Sequence, residues 1–326
     1  MQQQFLIPHK VGSYSFINEV EDNKWTSIDQ QSNKEVFIQL ISKKECQTQD
    51  FQSKIMTYFN TLKKIHSTFF SRCLDFFEDK HNYYVVMEKP EGITLNEYVF
   101  RNKGKITEEY IKTFFSNLIE AYREMLNNNF QFSVTYNNIY VKDCNVFNLN
   151  EFKLTIIPYM MKSVISSSYM FEAPEVFLGK IKSSESNVWT CGVFLYYITT
   201  GTLPFSVTPF NPDEFQKIIL NAEIQIPLYV PSNIKDIIAR MIIKNPGSRI
   251  KFAQIFDHVW LKKESVKQTA KTYSHIDMDQ FPTLWAQPNF IKEYPKDDNA
   301  RSNKFHFQVV PKQKTSRFHI EKIQKQ

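Results

Sequence analysis

The feature that most constrains the fold is a change of hydrophobic period part-way along the chain. Before residue 90, short runs of β-branched and aromatic residues alternate with polar turns, as at 36–41 and 83–87, and such runs predict strands. From Thr107 onward the apolar residues recur every three or four positions, which predicts a long helix with Thr107 as its N-cap. A small sheet-rich portion followed by a larger helical portion predicts an α+β fold of two lobes.

Two further helix starts follow in the second half. Asn211 precedes Pro212, a cap followed by a proline at the first helical position, and Ser232 opens a run with helical apolar spacing. The longest apolar segment, residues 188–198, is too short to span a bilayer. No secretory leader is visible at the start, so we expect neither export nor membrane insertion.

The cysteines and charges of the chain bear on its cellular compartment and on its partners. Its 4 cysteines show neither a metal-ligand spacing nor a secreted framework, so we expect a reduced cytoplasmic or nuclear setting. Residues 261–326 hold 13 Lys/Arg against 7 Asp/Glu, which leaves 27 of each for residues 1–260. The basic tail contains no recognised nucleic-acid motif, so we interpret it as a solvated extension and expect no nucleic-acid partner.

Several short motifs occur in order in the second half. They are Glu-Ala-Pro-Glu at 172–175, Ser-Asn-Val-Trp-Thr-Cys-Gly-Val at 186–193, Asn-Pro-Gly-Ser-Arg at 245–249 and His-Val-Trp-Leu at 258–261. In this order they resemble the large lobe of a eukaryotic protein kinase, most like the calcium/calmodulin-dependent branch. The resemblance implies a bilobal kinase-like domain over 9–261, with a small lobe at about 9–88, a large lobe at about 92–261 and a tail at 262–326. It also implies that Glu175 pairs with Arg249.

Phosphoryl transfer needs a phosphate cradle, a fixed cation, metal ions and a carboxylate that orients the acceptor hydroxyl. The resemblance places the cradle at Gly12, where only the first of three glycines remains. The lysine position holds Gln39, a neutral amide that cannot neutralise phosphate charge. Between residues 51 and 74 there is no acidic residue to serve as that lysine's partner on the next helix.

The catalytic loop and metal positions are altered as well. The position of the catalytic base holds Ser133, whose hydroxyl cannot replace a carboxylate near neutral pH. In the family, the preceding arginine binds a phosphate on the activation segment, and here that residue is Phe132. Asn138, which matches a metal ligand, is kept. Ile156 stands where the second ligand is expected, and Mg²⁺ requires oxygen ligands, so no metal site is predicted.

The nucleotide pocket carries two large rings. The family's small residue against the adenine is Phe37 here, the pocket floor is Tyr140, and Met87 and Glu88 lie at the interlobe hinge. With Gly12, Gln39 and Asn138, these residues predict a degenerate pocket and no bound cofactor. We hypothesise that the two rings fill the adenine volume; in the alternative, either ring rotates outward and leaves a polar groove.

Two functions follow from the resemblance. The leading interpretation is a pseudokinase that acts as a scaffold or allosteric partner of another protein, for example an active kinase. The alternative is a divergent Ser/Thr protein kinase that uses ATP and Mg²⁺, with Lys24 or Lys10 supplying a displaced lysine.

Overall fold

The computed structural model describes ten stretches of the chain. They are residues 10–21, 23–44, 49–65, 67–102, 104–128, 132–142, 152–154, 157–158, 166–207 and 211–262. The predictions for Ile156 and for the tail beyond residue 262 lie outside these ranges. The lobe boundaries at 9–88 and 92–261 stay predictions.

The first lobe is an antiparallel sheet with one helix. The sheet has six strands in the order β1-β2-β3-β4-β6-β5. These strands are β1 (Lys10–Val11), β2 (Tyr14–Glu21), β3 (Lys24–Asp29), β4 (Lys34–Ser42), β5 (Cys73–Glu78) and β6 (Asn82–Glu88). Helix α1 (Gln49–Lys64) follows β4. The strands predicted at 36–41 and 83–87 are confirmed within β4 and β6.

Both faces of this sheet are apolar, and each has its own core. On one face Ile38, Tyr84 and Val86 belong to a small cluster that Trp25 and Phe77 partly cover. The other face carries Phe37 and Met87, which belong to the main core together with the buried residues of the second lobe. Successive residues of a strand point to opposite faces, so the register of each strand decides which side chains meet the second lobe.

The second lobe is mainly helical. Its helices are α2 (Leu95–Arg101), α3 (Glu108–Asn127), α4 (Pro174–Phe177), α5 (Ser184–Thr200), α6 (Pro212–Asn221) and α7 (Ser232–Met241). Two small sheets accompany them, formed by β7 (Ile93–Thr94), β8 (Phe132–Ser133), β9 (Ile139–Val141), β10 (Phe152–Leu154) and β11 (Ile157–Pro158). None of the helices in the described ranges combines the length and apolar character needed to cross a bilayer.

The predicted helix starts at Thr107, Asn211 and Ser232 are confirmed, the first two with side-chain caps. Thr107 accepts a hydrogen bond from the backbone N–H of Tyr110, and Asn211 accepts from the N–H groups of Asp213 and Glu214. These side chains satisfy donors that the first helical turn leaves without a partner. The predicted α+β arrangement of a sheet lobe followed by a helical lobe is present.

Helix α5 forms the centre of the second lobe. Most of its residues are buried, and it packs against α3 and α7. A Cβ on Gly192 would lie 2.9 Å from side-chain atoms of Met241 and Ile242, so only glycine lets α5 approach α7 this closely.

The structure brings Glu175 and Arg249 together in a buried, two-pronged ion pair. The two guanidinium nitrogens Nη1 and Nη2 donate to the two carboxylate oxygens, each at 2.7 Å. Arg249 also donates to the backbone oxygens of Ile243 and Glu185. Burial acts to raise the pKa of Glu175, but hydrogen bonds from Arg249 and Ser186 outweigh it and hold the pKa below its usual value. The pair ties α4 to the start of α5 and to the turn after α7.

A second buried ion pair lies nearby. The ammonium of Lys182 donates to Glu172 at 3.0 Å, and both side chains are at most 3% exposed. Thr190 on α5 donates to the backbone oxygen of Phe171. These contacts fix the residues just before α4 against α5. No local sequence pattern indicates this pair, because each member lies in a connecting segment without periodic apolar spacing.

We predict that Arg249→Met lowers the free energy of unfolding by about 3–5 kcal/mol, because it leaves the Glu175 carboxylate buried without its partner. Arg101→Gln, which removes an exposed pair with Glu97 on α2, is the control and should cost less than about 1 kcal/mol. Urea denaturation of both variants measures the difference. Equal losses would show that the buried pair does not hold the lobe together.

Candidate functional site

The inner face of the first-lobe sheet places Lys24 beside Gln39. In the antiparallel pairing of β3 with β4, Lys24 lies opposite Gln39, and Gln39 in turn lies opposite Val85 of β6. One step along, Thr26, Phe37 and Met87 form the next row. Lys24 and Gln39 are 2% and 3% exposed. The lysine is therefore a neighbour, one strand away, of the position where the resemblance expects it.

Tyr140 reaches the same place from the second lobe. It lies on β9, paired with Thr94 of β7 and Lys153 of β10. Gly92, just before β7, has a φ of +99°, and a Cβ there would lie 2.3 Å from the backbone oxygen of Val141. Only glycine combines this backbone conformation with so close an approach. The segment after the hinge is thereby held against the strand that carries Tyr140.

Lys24, Phe37 and Tyr140 form what we call the interlobe cluster. The centroids of the two rings are 5.8 Å apart with their planes tilted by 41°. The Lys24 Nζ lies 4.5 Å from the Phe37 centroid and 5.4 Å from the Tyr140 centroid. It also donates to the Tyr140 hydroxyl at 3.4 Å, a long hydrogen bond. All three side chains are buried.

The electrostatics of this cluster follow from its burial. An ammonium removed from water loses hydration, and the negative faces of aromatic rings and a phenol oxygen restore part of it. The Lys89 ammonium lies farther out, 6.0 Å from the Phe37 centroid, and forms an ion pair with Glu35. The Glu88 carboxylate at the hinge faces Arg72 instead. The ammonium groups of Lys24 and Lys89 therefore both lie within about 6 Å of the Phe37 ring centroid.

Asn138 is fully buried and its side-chain oxygen is engaged within its own loop. Oδ1 accepts from the backbone N–H of Thr135 at 3.2 Å and from the Thr135 hydroxyl at 3.0 Å. The Asn138 N–H donates back to the Thr135 oxygen. This closed set of bonds shapes the turn before β9. The oxygen that the resemblance assigns to a metal ion thus holds a loop.

The structure separates Gly12 from the other predicted pocket residues. Gly12 lies in the turn between β1 and β2 with a φ of +59°. Tyr14 pairs with Asp29 while Glu21 pairs with Lys24, so Gly12 lies at the end of the β2–β3 hairpin remote from Lys24. Lys24 and Asp29 are five steps apart along β3, so at about 3.3 Å per residue the hairpin puts about 17 Å between its two ends. The assignment of Gly12 to a phosphate cradle is corrected accordingly: the turn facing the cluster is the one that contains Asn23.

The remaining predicted residues are placed in part. Met87 is buried opposite Phe37, and Glu88 ends β6. The backbone of Ser133 in β8 pairs with that of Ile157 in β11. Lys10, the other displaced lysine considered from the sequence, is exposed on the edge strand β1 and distant from the cluster. Of the two candidates, only Lys24 reaches the pocket residues.

The two-lobed fold is that of a protein kinase domain. Residues 25–261 match the family model for the protein kinase domain, which is well over half of the chain, so the chain belongs to the protein kinase family. The family and bilobal fold predicted from the motifs are confirmed.

The curated proteins that are similar to this chain are named as kinases. Sperm motility kinase 1 of Mus musculus is 28% identical over 279 residues, covering 83% of this chain and 56% of that protein. The carbon catabolite-derepressing protein kinase of Candida albicans is 25% identical over 271 residues, covering 78% and 42%. The SNF1-related protein kinase catalytic subunit alpha KIN12 of Arabidopsis thaliana is 25% identical over 234 residues, covering 69% and 46%. The chain spans about half the length of these relatives.

We predict that Asn138→Ala lowers the free energy of unfolding by about 1–3 kcal/mol, because two buried donors of Thr135 lose their acceptor. Asn128→Ala removes an exposed amide that donates to Glu124 at the end of α3, and it should change stability by less than about 0.5 kcal/mol. Denaturant titration compares the two variants. Similar midpoints would argue against a structural role for the Asn138 oxygen.

Proposed function

We propose that this chain is a non-catalytic kinase domain that acts by binding another protein, as a scaffold or an allosteric partner. The observation that carries this proposal is the contact between Phe37 and Tyr140. In the family, the Phe37 position lies against the adenine and the Tyr140 position forms the pocket floor. Two buried rings 5.8 Å apart at these positions leave little room for a purine between them.

The polar groups of the site fit Mg·ATP poorly. Gln39 is neutral, and its amide donates to the backbone oxygen of Leu40. The Asn138 oxygen is used by Thr135. Across the ranges that the structure describes, no three His, Cys, Asp or Glu side chains lie together in a way that could hold a metal ion. Catalysis of phosphoryl transfer rests almost wholly on such groups, so this site supports binding better than phosphoryl transfer.

One observation favours the alternative, a divergent Ser/Thr protein kinase. Lys24 lies opposite Gln39 on the inner face of the sheet, so a cation is present one strand away from the family position. The relatives named above are called kinases, which gives the alternative further support. Against it stand the burial of Lys24 under two rings and the replacement of the base carboxylate by Ser133.

The partner and the setting are part of the same proposal. We expect a protein partner, for example an active kinase, in the cytoplasm or nucleus. Cys73 and Cys191 are free thiols, as a reduced compartment would allow. Burial raises the pKa of Cys73 to about 11, so this thiol stays protonated near neutral pH and is a weak nucleophile.

We predict that ATP with Mg²⁺ does not raise the melting temperature of the full chain. A ligand that binds only the folded state at 100 times its Kd would stabilise it by about 2.7 kcal/mol, so the absence of a shift is informative. Differential scanning fluorimetry with ATP and Mg²⁺ together, and with each alone, makes the measurement. A magnesium-dependent rise in melting temperature would overturn the filled pocket.

We predict that the purified chain transfers no labelled phosphate to generic protein substrates. The same chain used as bait in extracts of its native cells should capture a protein partner, and phosphate-transferring activity in the captured material would identify that partner as an active kinase. Ser133→Ala and Asn138→Ala are the controls for the purified protein. Transfer by the purified chain that is abolished by both substitutions would establish the active-kinase alternative.

A further inference from the structure

The interlobe cluster joins two lobes through one side chain. Lys24 and Phe37 belong to the first-lobe sheet, whereas Tyr140 belongs to β9 of the second lobe. The Lys24 ammonium contacts one ring from each lobe and donates to the Tyr140 hydroxyl.

Burying an ammonium group costs free energy, and the size of that cost depends on the groups that surround the charge. It is stabilised only where the groups around it stay within a few ångströms, because cation–ring attraction falls off over about 6 Å. If the lobes moved apart, Tyr140 would withdraw from Lys24 while Phe37 stayed with it. Separating the lobes therefore costs free energy. An apolar side chain at position 24 would lower this cost, because it makes no cation–ring contact with Tyr140.

Gln39 fits this arrangement. Lys24 and residue 39 are directly opposite each other on one face of an antiparallel pair, where side chains are about 5 Å apart at Cβ. Like charges at such positions repel. The neutral amide at 39 and the ammonium at 24 are thus compatible with each other, whereas the family's lysine at 39 would place two buried cations side by side.

We propose that Lys24 is an interlobe latch, a positioning residue that holds the lobes in one closed arrangement without nucleotide. The inference rests on the proposed function, since it takes the filled pocket as its starting point. It adds that the closure is held by a cation between two rings. It also adds that Gln39 is a partner substitution which allows this cation to be buried.

Hydrogen exchange with mass spectrometry on the full chain tests the latch. In Lys24→Met we expect exchange in the strands at 24–29 and 139–141 to become faster by about tenfold or more, while α5 keeps its protection. The matched control is Lys43→Met. Lys43 lies 4.8 Å from the Tyr83 centroid within the first lobe and touches no second-lobe ring in that contact. Its loss should leave exchange at 139–141 unchanged.

Two further variants keep the test decisive if Lys24→Met folds poorly. Tyr140→Phe removes only the hydroxyl and should accelerate exchange in the same two strands, by a smaller factor. Gln39→Lys should lower the melting temperature, and adding Lys24→Met to it should recover part of the loss, because the double variant again holds one cation.

Several results would overturn the latch. Lys24→Met could raise the melting temperature with unchanged exchange at 139–141, as when an apolar side chain simply replaces a buried ion. Lys24→Met and Lys43→Met could be indistinguishable at 139–141. Gln39→Lys could be tolerated in the presence of Lys24. Each of these is separate from a magnesium-dependent stabilisation by ATP, which would refute the filled pocket itself.

Discussion

The antiparallel pairing of β3 with β4 is the constraint on which the site depends. Because paired residues of neighbouring strands point to the same face, this register puts Lys24 on the same face as Gln39 and Phe37. The pairing of β4 with β6 adds Met87 to this face, which meets the second lobe. A shift of one residue in β3 would turn Lys24 to the opposite face, among the apolar residues around Ile38 and Tyr84. Strand pairing alone thus determines which first-lobe side chains face the cleft.

The second lobe is held by different means. Glu175 and Arg249 are 74 residues apart in sequence and form an ion pair near the start of α5. The guanidinium also donates to the backbone oxygens of Glu185 in α5 and of Ile243 after α7. This pair, Gly192 and the buried helix α5 preserve the architecture of a kinase large lobe. The departures from the family pattern that the resemblance implies, Gln39, Phe37 and Tyr140, lie at the cleft instead. This division supports the proposed binding role, since a partner recognises the shape of the surface.

Local sequence signals predicted the elements well and the cleft only partly. The caps at Thr107 and Asn211 were readable because the residues that form them are adjacent in sequence. The contact of Lys24 with Tyr140 spans 116 residues and arises from the packing of the lobes, which no local pattern encodes. The pairing of Lys24 with Gln39 was accessible in principle from the short turn at 30–33, which joins β3 to β4 and contains Asn33 at a positive φ. Gly12 was assigned to the phosphate cradle on the evidence of one glycine, and a single glycine occurs just as readily in an ordinary turn.

The burial of Lys24 has a consequence for how such a chain is detected. Reagents that acylate lysine amines attack the neutral, solvent-accessible amine, and Lys24 is 2% exposed beneath two rings. A survey that recognises kinases by labelling the lysine of the nucleotide pocket would therefore pass over this protein, although its fold is that of the family. Its presence in a cell is better followed through a property of the whole domain, such as its mass or an epitope on its surface.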